Sequence, residues 1–394
     1  MKGIMAEALF DASPAAASRP RTVQIFNRLT GIRAVAALFV VALHYSDSVA
    51  LLFPAFGNLR TIYRSGGMGV DLFFILSGFI LSHNYLRQFE RVSLRDYRRF
   101  LEARLARVYP VHLATLLFLT VVAVFAAHAD KPLNGSHYNL SNWIANVTLI
   151  QTWPGFSNSL SWNYPAWSVS AEWFAYLLFP VLAPSIVRVR KPAIWAGACL
   201  SLFAVPACAG WIREGNPSNW AVLHVISEFL YGAFLYRLYE RRVRCPLSPF
   251  YAGLASITVT FACTYFNWHS TWVVPLYGIL LWSLAEHTEG PLGGRIAVYL
   301  GQISFSLYMT HGVLQIVLNR LWPVDRFVHS AVIVRLSVLG VYGLVIAGAA
   351  VGVYHCIEVP SRGAVLRFLK AENRRSRESS PELSKDTKLR AVNG

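Results

Sequence analysis

The sequence predicts an all-α, polytopic membrane protein of about ten transmembrane helices, with the N- and C-termini cytoplasmic. Three observations predict it. Of the 394 residues, 55% are hydrophobic and only 14% charged, where a soluble domain would carry about 25% charged residues. Apolar runs near bilayer-crossing length recur, as from Val108 to Ala127, and about 20 residues of helix span the hydrocarbon core. The net charge of +16, from 36 Lys and Arg against 20 Asp and Glu, is segregated between alternate connections. Nucleic-acid binding is argued against by the same figures, since such a net charge would normally sit on a charge-rich surface.

Residues 1–27 read as a disordered cytoplasmic tail, scattered with Ala, Ser and Pro and lacking an apolar core of signal-peptide length. Apolar segments follow near 33–53, 68–86, 108–127, 168–187, 193–211, 219–236, 249–266, 270–285, 296–319 and 329–355. With the N-terminus inside, 29 of the 36 basic residues fall on the cytoplasmic side and 6 outside, with Arg335 in the last span, the asymmetry that orients membrane proteins. Residues 28–362 form the transmembrane domain. The stretch 363–394 is polar and basic and is expected to be a disordered cytoplasmic tail attracted to anionic lipid. Five cysteines, three of them in apolar runs, give no disulfide framework.

The longest outer loop, from His128 to about Trp167, is rich in aromatic residues. Tryptophans at span ends fit an interfacial belt. Trp153 and Trp162 lie within the loop, where a sugar-stacking platform and simple loop packing are both open. Its three Asn-x-Ser/Thr triplets, at Asn134, Asn139 and Asn146, matter only in a glycosylating pathway.

Ionisable residues inside spans are costly and so are functional candidates. In the first span Arg33 and His44 are 11 positions apart, three helical turns plus about 20°, and share one face with about 16 Å between them. His44 suits a general base, because its ordinary pKa lies near neutrality; Asp47, one turn on, is placed to orient it. The second span opens GGMGVDLFFILSGF, where the glycines allow close helix approach and Asp71 implies a partner such as Arg60, Arg64 or a bundle-interior group. Arg104 and Arg107 lie on one helical face at the cytoplasmic boundary, suited to a nucleotide phosphate or to membrane anchoring. Glu172 in WSVSAEWFAY and His311 in ISFSLYMTH complete the intramembrane set.

Together these segments resemble the integral-membrane acyltransferase family 3, whose bacterial members O-acylate lipopolysaccharide, exopolysaccharide and other surface glycans. The resemblance rests on Arg33-x10-His44, GVDLFFILSGF at 69–79, Arg104-x-x-Arg107, WSVSAEWFAY at 167–176, ISFSLYMTH at 303–311 and IEVPSR at 357–362, in family order. The chain departs from the family at Trp173 and Phe174, where a second acidic residue and Gln are usual, and at Thr310, where Trp precedes the histidine. The resemblance implies an O-acyltransferase of the bacterial inner membrane. It would move an acyl group, most simply acetyl from acetyl-CoA, to a hydroxyl of a carbohydrate or lipid-linked glycan. His44, Asp47 and Glu172 would carry catalysis, Arg33, Arg104 and Arg107 would bind the coenzyme, and Asp71 and His311 are further candidates. No permanently bound cofactor, metal or nucleic-acid partner is expected; membrane lipid is. Two rival readings are a proton-coupled transporter or flippase of lipid-linked sugars, with His44, Asp71 and Glu172 as a proton relay, and a scaffold subunit.

Overall fold

The computed structural model describes residues 26–59, 65–133, 136–155, 160–191, 194, 198, 218–266, 272–287 and 289–378. Among them there are helices and no strands. The main helices are α1 (Asn27–Leu52), α2 (Met68–Tyr85), α3 (Leu94–His128), α4 (Leu140–Val147), α5 (Trp167–Arg188), α6 (Ser218–Glu240), α7 (Pro249–Tyr265), α8 (Val274–Glu286), α9 (Arg295–Leu321), α10 (Val332–Val353) and α11 (Val359–Glu378). Helices occupy nine of the ten apolar segments; the other, 193–211, lies almost wholly outside the described residues. Among the described residues, five helical stretches are long and apolar enough to cross a membrane: Asn27–Leu52, Leu94–His128, Tyr164–Arg188, Ala221–Glu240 and Val332–Val365.

Large apolar side chains face outward on α3, α7 and α10, as at Phe125, Phe250 and Ile333, while charged and polar groups such as Asp71, Glu228, His311 and Glu358 are buried. That inversion suits a bundle whose solvent is lipid. Helix α3 begins earlier than the apolar run does, because Ser93 caps it by accepting from the Asp96 amide at 3.1 Å. Arg104 and Arg107 therefore sit inside one continuous helix.

The glycines of the second span act through space. A Cβ at Gly78 would lie 1.9 Å from the Phe229 carbonyl oxygen, and one at Gly232 would lie 1.9 Å from that of Ile75. Helices α2 and α6 thus cross backbone to backbone, the small-residue packing available where lipid removes the hydrophobic drive. Near the start of α2 the same two helices are clamped electrostatically. His224 Nε2 lies 3.2 Å from Asp71 Oδ1 and 2.8 Å from Glu228 Oε1. Asp71 thus has a bundle-interior partner; Arg60 and Arg64 lie outside the described residues.

One expectation is corrected and one open alternative is narrowed. The tail is helical as far as Glu378, because Arg, Leu, Lys, Ala and Glu are good helix formers and the segment continues an existing helix without a new nucleus. Trp162 is buried against Tyr138, with ring centroids 5.4 Å apart, and donates to the Asn139 carbonyl, while Trp153 donates to that of Ser170. Both indoles therefore hold the loop rather than offering a stacking platform. Asn146 is also buried, donating to Asn142 and Ser161, so it is no glycan acceptor in the folded chain.

Gly78→Ala should force α2 from α6 and destabilise the detergent-solubilised protein by about 1–3 kcal/mol, read as a lowered thermal midpoint. Gly340→Ala, with nothing within 4 Å of the added carbon, should leave it unchanged. His224→Ala strands two facing carboxylates and should cost about 3–5 kcal/mol, again read as loss of thermal stability.

Candidate active site

The site has two parts. The first gathers around His44 in the half of α1 nearer its C-terminus. His44 Nδ1 lies 2.9 Å from the Val40 carbonyl oxygen, one turn back. A carbonyl only accepts, so this bond places the proton on Nδ1 and leaves Nε2 with its lone pair. His311 Nε2, on α9, stands 3.3 Å from the same Nδ1. Gln315, one turn beyond His311 and on the same face of α9, donates to the His44 backbone carbonyl. The Tyr164 ring lies tilted against that of His44, centroids 4.7 Å apart, and its hydroxyl donates to Gln315 Oε1 at 2.6 Å. Tyr45, adjacent in sequence to His44, donates to the His311 carbonyl at 3.0 Å.

Tyr164 is brought in by the end of the outer loop. Trp162 adopts φ 55°, a left-handed conformation that costs about 1–3 kcal/mol for a non-glycine residue. The next residue, Asn163, is buried and donates to Thr115 Oγ1 at 3.2 Å and the Met309 carbonyl at 3.0 Å. The turn is thereby locked to α3 and α9, and Tyr164 follows against His44.

The second part is a cavity of about 140 Å³ lined by α1, α2, α3, α5 and α9. Arg33, Arg104 and Arg107 all face it, with Ser77, Glu172 and Tyr176. Its lining along α2 runs from Val70 to Leu81, about 16 Å at helical rise. Ser77 donates to Glu172 Oε1 at 2.6 Å, and Arg104 donates to the Tyr85 hydroxyl at 3.0 Å while lying over that ring. Arg107 forms an ion pair with Glu358, which also accepts from Ser306 at 2.6 Å. Between the two parts stands Tyr308. It lines the cavity, its ring is 5.7 Å from that of His311, and its hydroxyl is fixed by Ser168 at 2.8 Å and the Pro165 carbonyl at 3.0 Å.

The three arginines are therefore together, as are His44 and His311. The expected catalytic trio is not one constellation. Glu172 belongs to the arginine cavity, because its position on α5 places it opposite Ser77 and beside Tyr176. Asp47 is exposed, and His44 Nδ1 is held by the Val40 carbonyl of its own helix. A relay of His44, Asp71 and Glu172 likewise divides into three networks: His311, His224 with Glu228, and Ser77. Among the described residues, one group of donors could hold a metal ion, Asp71, His224 and Glu228, whose ligand atoms lie within 4.8 Å of one another. Sequence spacing hid it, because Asp71 is far from the other two in the chain.

Sequence reasoning missed Tyr164, Gln315, Tyr308, Glu358, His224 and Glu228. A signal existed for the last two: His and Glu at i, i+4 inside an apolar segment are as costly as the residues that were singled out.

Comparison with known proteins bears on what this arrangement does. Over 323 residues the chain is 28% identical to the acyltransferase MdmB of Streptomyces mycarofaciens, covering 74% of this chain and 79% of that one. It is also 28% identical over 176 residues to the peptidoglycan O-acetyltransferase OatA of Listeria monocytogenes, covering 42% of this chain but only 25% of that protein. No solved structure matches. The acyltransferase domain of family 3 matches residues 26–354, a stretch that contains His44, His311 and the three cavity arginines. The chain belongs to the acyltransferase 3 family and is an O-acyltransferase of the membrane-embedded kind.

Proposed function

We propose that the protein transfers an acyl group, most simply acetyl from acetyl-CoA, to a hydroxyl of a cell-surface or exported carbohydrate. The observation that carries this reading is the placement of the arginine-lined cavity and the His44–His311 pair on opposite sides of Tyr308. Guanidiniums suit the phosphates of a coenzyme, which they bind in a planar, bidentate way. An imidazole with a lone pair on Nε2 suits the activation of a hydroxyl.

The steps balance without further reactants. The coenzyme lies with its phosphates at Arg33, Arg104 and Arg107 and its thioester directed past Tyr308. His44 Nε2 takes the proton of the acceptor hydroxyl as that oxygen attacks the thioester carbonyl. The resulting imidazolium is stabilised at Nδ1 by the Val40 carbonyl and the His311 ring nitrogen, both acceptors. Collapse of the tetrahedral intermediate breaks the carbon–sulfur bond, and His44 returns the proton to the leaving thiolate. Tyr164 and Gln315 keep the ring in register. The carbohydrate acceptor is supported by the resemblance to surface-glycan acyltransferases and by the relative named for peptidoglycan.

This reading includes ten spans, cytoplasmic termini and residence in a bacterial inner membrane. The packing supports it by pairing residues assigned to the same side. Arg87 meets Glu240, and Arg237 meets the Val187 carbonyl, all at the cytoplasmic end; Arg320 donates to the Lys131 and Pro132 carbonyls at the outer end.

His44→Ala should lower acyl transfer by about 10²–10⁴-fold, with unchanged protein in the membrane; a product assay by mass spectrometry checks it, and retained activity contradicts the role. Arg104→Ala combined with Arg107→Ala should weaken acyl-CoA binding at least tenfold, since hydrogen bonds to charged groups contribute about 1.5–3 kcal/mol each. Calorimetry on the purified protein measures it, and unchanged affinity would remove the phosphate role.

A further inference from the structure

Asp71, His224 and Glu228 take no part in the proposed transfer, yet each is an ionisable group inside the bundle, where such groups are costly. His224 and Glu228 are four apart on α6 and so share a helix face, and Asp71 meets them from the first turn of α2. Their ligand atoms all lie within 4.8 Å of one another. His224 Nε2 is 3.2 Å from Asp71 Oδ1 and 2.8 Å from Glu228 Oε1. A tetrahedral zinc shell with bonds to nitrogen and oxygen of about 2.0–2.2 Å holds neighbouring donors about 3.3 Å apart. The three side chains are therefore spaced close to three corners of such a shell.

A second observation is independent of that spacing. Glu228 is fully buried, and its other oxygen, Oε2, has no hydrogen-bond partner. A carboxylate oxygen withdrawn from water without a donor calls for a cation. Charge agrees. With the imidazole protonated, the three groups sum to one negative charge; with a neutral imidazole and a divalent cation, they sum to zero. The His224 side chain is 25% exposed, so the cluster is reachable from outside the bundle.

We propose that Asp71, His224 and Glu228 form a zinc site that ties the start of α2 to α6, with water as the fourth ligand. One imidazole nitrogen with two carboxylates suits a first-row transition metal, whereas calcium and magnesium prefer six or more oxygen ligands. Binding replaces a proton: His224 Nε2 gives up its hydrogen to solvent and turns its lone pair to the metal. Val70, next to Asp71 in the chain, lines the arginine cavity, so the ion braces a wall of that cavity. The site does not depend on which acyl donor the protein uses.

The full-length protein, purified in detergent and stripped with a chelator, is titrated with zinc chloride, reading the metal bound per chain and the thermal midpoint. One zinc per chain should bind and raise the midpoint, whereas magnesium at the same concentration should not. Asp71→Asn and Glu228→Gln should each weaken zinc binding at least tenfold and remove the rise. Cobalt in place of zinc should give a tetrahedral absorption spectrum with no thiolate charge-transfer band, which separates this site from the cysteines. A clamp held by hydrogen bonds alone gives no zinc-dependent rise in the wild type, and that result overturns the proposal. So does an equal rise in the wild type and both variants, or a thiolate band, since each puts the metal elsewhere. If neither variant folds, the cobalt spectrum of the wild type decides.

Discussion

Burying charge inside a lipid-facing bundle is the constraint on which the rest of this structure depends. The outer faces of α3, α7 and α10 present side chains such as Phe125, Phe250 and Ile333, so ionisable groups are turned inward, where each must find compensation. Three arrangements meet that demand. His224 lies between Asp71 and Glu228, Glu358 accepts from Ser306 and pairs with Arg107, and Arg237 pairs with Glu240, which also meets Arg87. Each joins helices remote in sequence. The demand for charge compensation thus fixes which helices are neighbours, and the glycine crossing of α2 and α6 fixes how closely they approach.

The same constraint separates the chemistry into two compartments. Arginines gathered at one cavity would, on the proposed function, receive a multiply charged coenzyme, while the histidines are kept apart from those guanidiniums by Tyr308. Proximity to several positive charges would oppose protonation of an imidazole, so a base that must accept a proton during turnover benefits from the separation. His44 also needs no carboxylate partner: its Nδ1 proton is satisfied by the backbone, and His311 supplies a polar neighbour without a fixed charge. On the proposed function the reactants would meet at the boundary, the thioester end of a long donor reaching there while its phosphates remain behind.

Much of this was legible in the sequence, for an identifiable reason. Arg33, His44, Arg104, Arg107 and His311 stand out because ionisable residues are rare in apolar helices, and helical spacing alone aligns Arg33 with His44 and Arg104 with Arg107. The pairings were not legible. His44 and His311 are 267 residues apart, and Ser77 and Glu172 are 95 apart; no local pattern encodes such contacts. Asp47 was chosen as the orienter because i, i+3 neighbours share a helix face, whereas the Val40 carbonyl one turn back holds the ring's Nδ1. The helicity of α11 was missed because a polar, charged composition reads as disorder, although its individual residues favour helix once one has begun. Tyr164 is invisible without the fold, since it reaches His44 through a strained turn held by Asn163.

The proposed function requires a coenzyme at the arginine cavity to deliver its acyl group past Tyr308 to a hydroxyl at His44. The protein reconstituted in liposomes of uniform orientation, with labelled acetyl-CoA on the cytoplasmic face and a carbohydrate acceptor on the other, measures this. Label is expected in an ester on the acceptor, with one thiol of CoA released per ester formed. Passage of the acceptor across the bilayer in response to a pH gradient, with no ester and no thiol released, would contradict it.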